Sequence, residues 1–299
     1  MQINLLKEFA RICKKHNLRW FAIGGTLLGA VRHKGFIPWD DDVDFMMLRP
    51  DYEKFKRVAE KEIRYPYFLD MWYNYRLECD EVSNLTDNSL PLLTDHDRLN
   101  SKMFFPFASY LKIRDSRTLQ LSFQGRTNVN QGICLDVFPI DPLPYNVTNE
   151  QRDKLEIAKI LFLATAFPEV IKNSMKQKQP LGITYDSLNT FLKLPYKQRG
   201  INFDKYMADI YFQSEHMGDI WRFARAAISK IELNYYNFKI FRDVVRLPFE
   251  KTEVFAPIDY EDALSTFYGE NWRTPILTHI HSQTYSTDIS YKEYFAKTT

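Results

Sequence analysis

The sequence predicts an α+β fold, a mixed sheet flanked by helices, with a mostly helical insertion in its second half. Three observations carry this. Short apolar runs at Trp20–Ile23, Phe45–Leu48 and Gly132–Phe138 read as strands, two of them bordered or interrupted by carboxylates. Amphipathic stretches lie between them, with Leu5, Phe9, Ile12 and Cys13 at helical spacing in the first. After Pro142 and Pro144 the pattern turns to long helices. The expected partition is a core over 1–147, a helical insertion or cap over 148–240, and a mixed C-terminal segment over 241–299 that packs back on the core.

In chain order, residues 1–16 form an amphipathic helix rather than a signal peptide, because charges interrupt every apolar stretch. Trp20–Ile23 is a strand, and Gly24-Gly25 turns it into a short helix over Thr26–Val31. Gly35 and Pro38 end that helix and lead to the acidic strand. Asp51–Ile63 is a charged helix with Asp51 as its N-cap. Tyr65–Tyr75 contains a further strand, and Asp80–Ser101 is a long polar loop in which Asp95-His96-Asp97 reads as solvated. Ala108–Ser116 and Gly132–Phe138 are strands. Thr148–Lys178 is a long helix, kinked at Pro168, and Leu181–Ile231 continues as helices. Its apolar run Ile157–Phe167, flanked by Lys172, Lys176 and Lys178, reads as a cap; the alternative is a surface lying in a bilayer interface.

The chemistry concentrates between Phe21 and Phe45. Asp40, Asp41, Asp42 and Asp44 cannot all be ionised at close range unless positive charge offsets them. Asp42 and Asp44 flank Val43, so on a strand they share one face. Paired hard oxygen ligands suit Mg²⁺, with Mn²⁺ as an alternative, and such ions serve phosphoryl transfer. Gly24, Gly25 and Thr26 open a helix where backbone N–H groups can receive a phosphate. Arg32, His33, Lys34 and Lys112 supply positive charge for it. Asp136, alone in an apolar strand, is either half of a structural ion pair or a third metal carboxylate; the twin aspartates favour the latter.

The string GGTLLGAVRHKGFIPWDDDVDF resembles the LicD family of phosphotransferases, which is related to fukutin and fukutin-related protein. The Asp136–Asp141 segment, the Arg246–Glu250 strand pair, Pro257–Tyr260 and Leu264–Gly269 are similar to further family segments, while the helical middle matches poorly. The resemblance implies a nucleotidyltransferase-like fold with Asp42, Asp44 and Asp136 as both metal-binding and catalytic. It implies transfer of phosphocholine from CDP-choline to a glycan precursor of teichoic acid, capsule or lipopolysaccharide, with release of CMP. In that reading Asp136 is also the candidate base, and Trp39 is either a wall of a cage for the choline ammonium or a buried anchor for its loop. Glycerol phosphate or ribitol phosphate transfer by the same mechanism, nucleotidyl transfer to a small molecule, and a silent glycan-binding role are the alternatives.

With 299 residues and 45% hydrophobic content the chain can bury a sizeable core. A net charge of +2 argues against nucleic acid as a partner held by bulk electrostatics. Three dispersed cysteines, Cys13, Cys79 and Cys134, read as buried thiols of a reducing compartment. The expected address is cytoplasmic, at or near the inner face of the plasma membrane, with a lipid-linked acceptor and peripheral membrane contact. His279 and His281 resemble a chelating pair, but no cysteine or acidic partner lies nearby in sequence.

Overall fold

The computed structural model describes residues 1–74, 110–121, 129–142, 149–212, 220–222, 235–275 and 284–298. The loop over 80–101, Cys79, His96, His279 and His281 therefore lie outside the described residues. A five-strand path organises the fold: β1 (Phe21–Ala22), β2 (Asp44–Leu48), β6 (Ile133–Pro142), β4 (Leu111–Asp115) and β3 (Tyr67–Met71), in that spatial order. Only β2 and β6 run parallel; the other neighbours on the path are antiparallel.

Alternation along these strands separates the two faces. Phe45, Val137, Leu111, Leu135 and Ile113 form one face, all fully buried. It is covered by α1 (Gln2–Lys15) and α3 (Arg49–Glu62). Phe9 of α1 stacks on Phe45 with ring centroids 5.3 Å apart and meets Phe55 of α3 edge-on at 5.1 Å. The opposite face carries Asp44, Asp136, Lys112 and Asp70 in one row, each the register partner of the next. One face is thus a dry core, and the other holds the charge.

The α3 N-cap is Leu48, not Asp51. Pro50 sits in the first turn, where its missing N–H costs nothing, so the helix starts ahead of the aspartate. The predicted long helix divides at Phe167 into α4 (Asn149–Ala166) and α5 (Pro168–Lys176), followed by α6 (Tyr185–Leu192) and α7 (Tyr196–Phe212). Ile160, Leu161, Phe162, Leu163 and Ala164 are buried, so the run considered as a bilayer surface is turned into the protein. Phe162 and Phe203 pack on Trp72 at 5.4 and 5.5 Å, and Asp204 of α7 takes the Trp72 indole N–H at 2.9 Å and Lys56 of α3 at 3.0 Å.

Helices do not fill the rest of that region. β7 (Ile220–Arg222) and β8 (Tyr235–Asn237) are strands, and β7 adds antiparallel to the far end of β6 at Asp141 and Pro142. The unpaired edge of the long β6 offered a ladder that local helical pattern does not reveal. The C-terminal hairpin β9 (Val244–Phe249) and β10 (Thr252–Pro257) packs beside β1, with Phe255 on Trp20 at 4.9 Å. α8 (Tyr260–Tyr268) lies against α2 (Gly24–Arg32). β11 (Thr284–Ser286) pairs with β5 (Leu119–Leu121), ahead of α9 (Tyr291–Thr298). No helix among the described residues is long and apolar enough to cross a membrane.

Candidate active site

Three of the predicted carboxylates meet where β2 begins. Asp44, the first residue of β2, is the register partner of Asp136 on the parallel neighbour. The ladder reaches one residue further back, because the Asp136 N–H donates to the Val43 carbonyl at 3.0 Å. Asp42 precedes that residue and senses the charges of Asp40, Asp136 and Asp41. Thr26 of α2 fixes the entry to the strand: its Oγ1 accepts the Asp44 N–H at 2.9 Å. This hydroxyl acts on the backbone of the acidic strand, a different task from the phosphate contact predicted for it.

Burial and mutual repulsion hold protons on this cluster. The Asp42 carboxyl is raised to about 7, by burial first and then by Asp40, Asp136 and Asp41. Asp44 is raised well above the carboxylate range, by burial and then by Asp42 and Asp136, with Lys112 opposing. Asp136 is handled differently: both its oxygens accept from Lys112 Nζ, at 2.7 and 2.5 Å. Of the two alternatives posed in the sequence, the ion pair is present, with Lys112, and the same side chain stands in register with Asp44. With both oxygens engaged, Asp136 is a weak choice for a proton acceptor, although each oxygen keeps a lone pair for a ligand.

The donor set fits a divalent cation. One carboxylate oxygen from each of Asp40, Asp41 and Asp42 lies within 4.8 Å of the others; the predicted ligands Asp44 and Asp136 are outside that set, paired in register with each other and within electrostatic range of Asp42. Carboxylates this crowded and this reluctant to ionise are relieved by a hard cation. Asp40 and Asp41 had drawn no role of their own in the sequence, although the signal was the unbroken run at 40–42.

The glycine turn is built as its sequence demands. Gly24 takes φ +52°, and a β-carbon there would lie 3.7 Å from Asp44 Oδ2 and 3.9 Å from the Tyr268 hydroxyl. A β-carbon on Gly25 would come within 2.0 Å of Asp40 Oδ2. The absent side chain at Gly25 therefore admits a carboxylate of the protein itself to the start of α2.

The predicted cations do not act as one group. Lys112 belongs to Asp136. Arg32, at the last turn of α2, donates through Nη1 to the Trp272 carbonyl at 3.2 Å, and its Nε is buried without a partner. His33 is exposed and meets Trp39 edge-on at 6.5 Å; burial and Arg32 lower its pKa. Trp39 is half-buried against the core, in keeping with the anchor reading. Lys34 adopts φ +60° and its carbonyl accepts the Glu250 N–H at 2.7 Å, so it joins the turn to the C-terminal hairpin. A cavity of about 260 Å³ opens next to Asp40 and Asp41, lined also by Gln2, Phe36, Gln120 and Ile133. Tyr268, which the sequence offered only as part of the Leu264–Gly269 segment, borders the Gly24 turn and senses Asp40, Asp44 and Asp42.

Residues 17–78, which contain the glycine turn, the aspartate run and α3, match the LicD/FKTN/FKRP nucleotidyltransferase domain. The LicD-family likeness rests on this segment. The chain is 43% identical over 142 residues to the lipopolysaccharide cholinephosphotransferase LicD of Haemophilus influenzae, a match covering 48% of this chain and 42% of that protein. An uncharacterized protein of Rickettsia typhi is 41% identical over 72 residues, 24% of this chain and 21% of that one. The chain thus spans less than half the length of the curated relatives it matches. Asp136 lies beyond the matched LicD-family segment, and the β2–β6 register brings it back to Asp44.

Proposed function

We propose that this chain transfers phosphocholine from CDP-choline to a sugar hydroxyl of a lipopolysaccharide-type, lipid-linked glycan, releasing CMP. The observation that carries the reading is the register of Asp44 against Asp136, with Asp42 one residue before the ladder. The likeness to a lipopolysaccharide cholinephosphotransferase supports the choice of transferred group.

In this reading Asp42, Asp44 and Asp136 hold Mg²⁺ or Mn²⁺, which when bound offsets charge on the phosphoryl oxygens. Thr26 keeps Asp44 in place through its backbone, and Lys112 keeps Asp136 in place through both oxygens. Arg32 supplies donors to the diphosphate. The acceptor oxygen forms the new P–O bond as the bond to CMP breaks, and the hydroxyl proton passes to a carboxylate.

The test is incubation of the purified protein with CDP-choline, Mg²⁺ and a lipopolysaccharide-type acceptor. Acceptor-dependent CMP release, with a new phosphodiester in the ³¹P spectrum, is expected. Cytidylate covalently attached to the acceptor would replace this reading with nucleotidyl transfer, and CMP release from CDP-ribitol or CDP-glycerol alone would change the transferred group.

A further inference from the structure

Two buried hydrogen-bond donors at the C-terminal end of α2 have no partner, and Tyr268, 40% exposed, lies within electrostatic range of one of them. Arg32 Nε is buried without a partner. Trp272 is 4% exposed, and its indole N–H is likewise buried and unpartnered. The Tyr268 hydroxyl makes no hydrogen bond among the described residues. A buried N–H left unpaired costs free energy comparable to a lost hydrogen bond, so two in one place call for a ligand.

The three side chains are held together. Arg32 Nη1 donates to the Trp272 carbonyl at 3.2 Å, and the Arg32 guanidinium lies within electrostatic range of the Tyr268 phenol. Trp272 follows Tyr268 through Gly269, whose φ of +81° ends α8, and its N–H donates to the Gly269 carbonyl at 3.2 Å. Arg273 lies over the Trp272 ring at 4.2 Å and is paired with Glu261 at 2.8 Å, so it adds to the positive field without competing for a ligand. Arg32 has no carboxylate partner among the described residues. One fixed cation, an indole N–H and a phenol that can donate, with no carboxylate among the three, match a phosphoryl group.

We propose that Arg32, Tyr268 and Trp272 form a phosphoryl-binding corner that takes the diphosphate of the nucleotide donor. The proposal rests on the phosphotransfer reading only for the identity of the ligand. Its place supports the donor, because Tyr268 borders the same turn as Asp44 and so stands next to the carboxylates. Asp40, Asp42 and Asp44 face Tyr268 and oppose an anion, which is why binding is measured with Mg²⁺ present. Tyr268 and Arg32 are here binding residues, and the corner discriminates phosphate-bearing ligands from the bare nucleoside.

Isothermal titration with CDP, cytidine, inorganic phosphate and a sugar 1-phosphate tests this in wild type, Tyr268→Phe and Arg32→Gln, with thermal melts as folding controls. Tyr268→Phe should weaken CDP binding about tenfold, and Arg32→Gln about a hundredfold, with cytidine unaffected. Loss of sugar 1-phosphate binding without change for CDP would overturn the donor assignment in favour of the acceptor. Equal CDP binding in all three proteins, or no CDP binding by wild type, overturns the corner altogether. The predicted CDP pattern without any turnover of CDP-choline leaves the corner standing while the phosphocholine reading falls.

Discussion

Two kinds of buried carboxylate share one face of the sheet. Towards β3 each acid has its own base: Arg114 donates to Asp70 at 2.6 Å, and Lys112 holds Asp136. Towards β1, Asp42 and Asp44 have no ion-pair partner among the described residues; burial and the neighbouring acids Asp40, Asp41 and Asp136 act on them, and the charge of Lys112 opposes this only in part at Asp44. The chemical groups are the same, and so is the row across the strands. Pairing fixes the first kind in place, while its absence leaves the second kind costly to ionise. The difference teaches where to look for function on a charged sheet: at the acids whose repulsion the fold relieves least.

The sharpest way to break the comparison is at Asp44. Asp44→Asn should lower turnover by on the order of 10²-fold or more, the usual cost of removing one preorganised charge stabiliser. It should also raise the melting temperature in chelator, most at alkaline pH, because the amide can never become a second buried charge beside Asp42. Near-normal CMP release would move the catalytic centre elsewhere. The paired end should respond in the opposite sense. Lys112→Met leaves the Asp136 carboxylate uncompensated and should destabilise by about 3 kcal/mol, read from urea unfolding. The double variant Lys112→Met/Asp136→Asn should recover much of that loss; additive losses would show that the two do not act as a pair.

A smaller effect lies in pH. Asp42 is raised from 3.8 to about 7, so the folded protein binds this proton more tightly than the unfolded chain does. The sign follows: stability from this group is fully present below the unfolded value of 3.8, falls as pH rises, and is lost once pH has passed through about 7. In chelator the melting temperature should be higher at pH 6 than at pH 8, and millimolar Mg²⁺ should shrink the difference. A higher value at pH 8 in chelator would contradict the raised carboxyl. The mildest test is Gly25→Ala, whose methyl would meet Asp40 Oδ2 at 2.0 Å. The loop carrying Asp40 must shift. Activity should fall about tenfold, on the scale that catalysis loses to small displacements, while circular dichroism stays unchanged.

Much of this was legible in the chain. Leu5, Phe9 and Ile12 announced the first helix, and all three are fully buried on the sheet. The strands around Phe45 and Leu135 were equally plain, because apolar runs between glycine turns and charges have few other uses. The limits of local reading show elsewhere. Asp51 has the chemistry of an N-cap, yet the helix begins at Arg49 because Pro50 favours the first turn. β7 lay hidden in a helical stretch because its pairing partner, the end of β6, is about eighty residues away in the chain. The apolar run in α4 reads as a cap with a bilayer surface as the alternative, a choice its local pattern leaves open, and Phe162 packs inward on Trp72.

By itself the sequence determined where the acidic cluster and the glycine turn lie in the chain. Four aspartates in five residues after a double glycine are legible without coordinates, since charge and backbone freedom are local properties. Only the tertiary structure decided which charges meet. Lys112 and Asp136 are joined by register between β4 and β6, Asp44 and Asp136 by register between β2 and β6, and Tyr268 reaches Gly24 from a helix more than two hundred residues on. The physical reason is that electrostatic partnership depends on distance in space, and a folded chain sets that distance through pairings its local pattern does not encode.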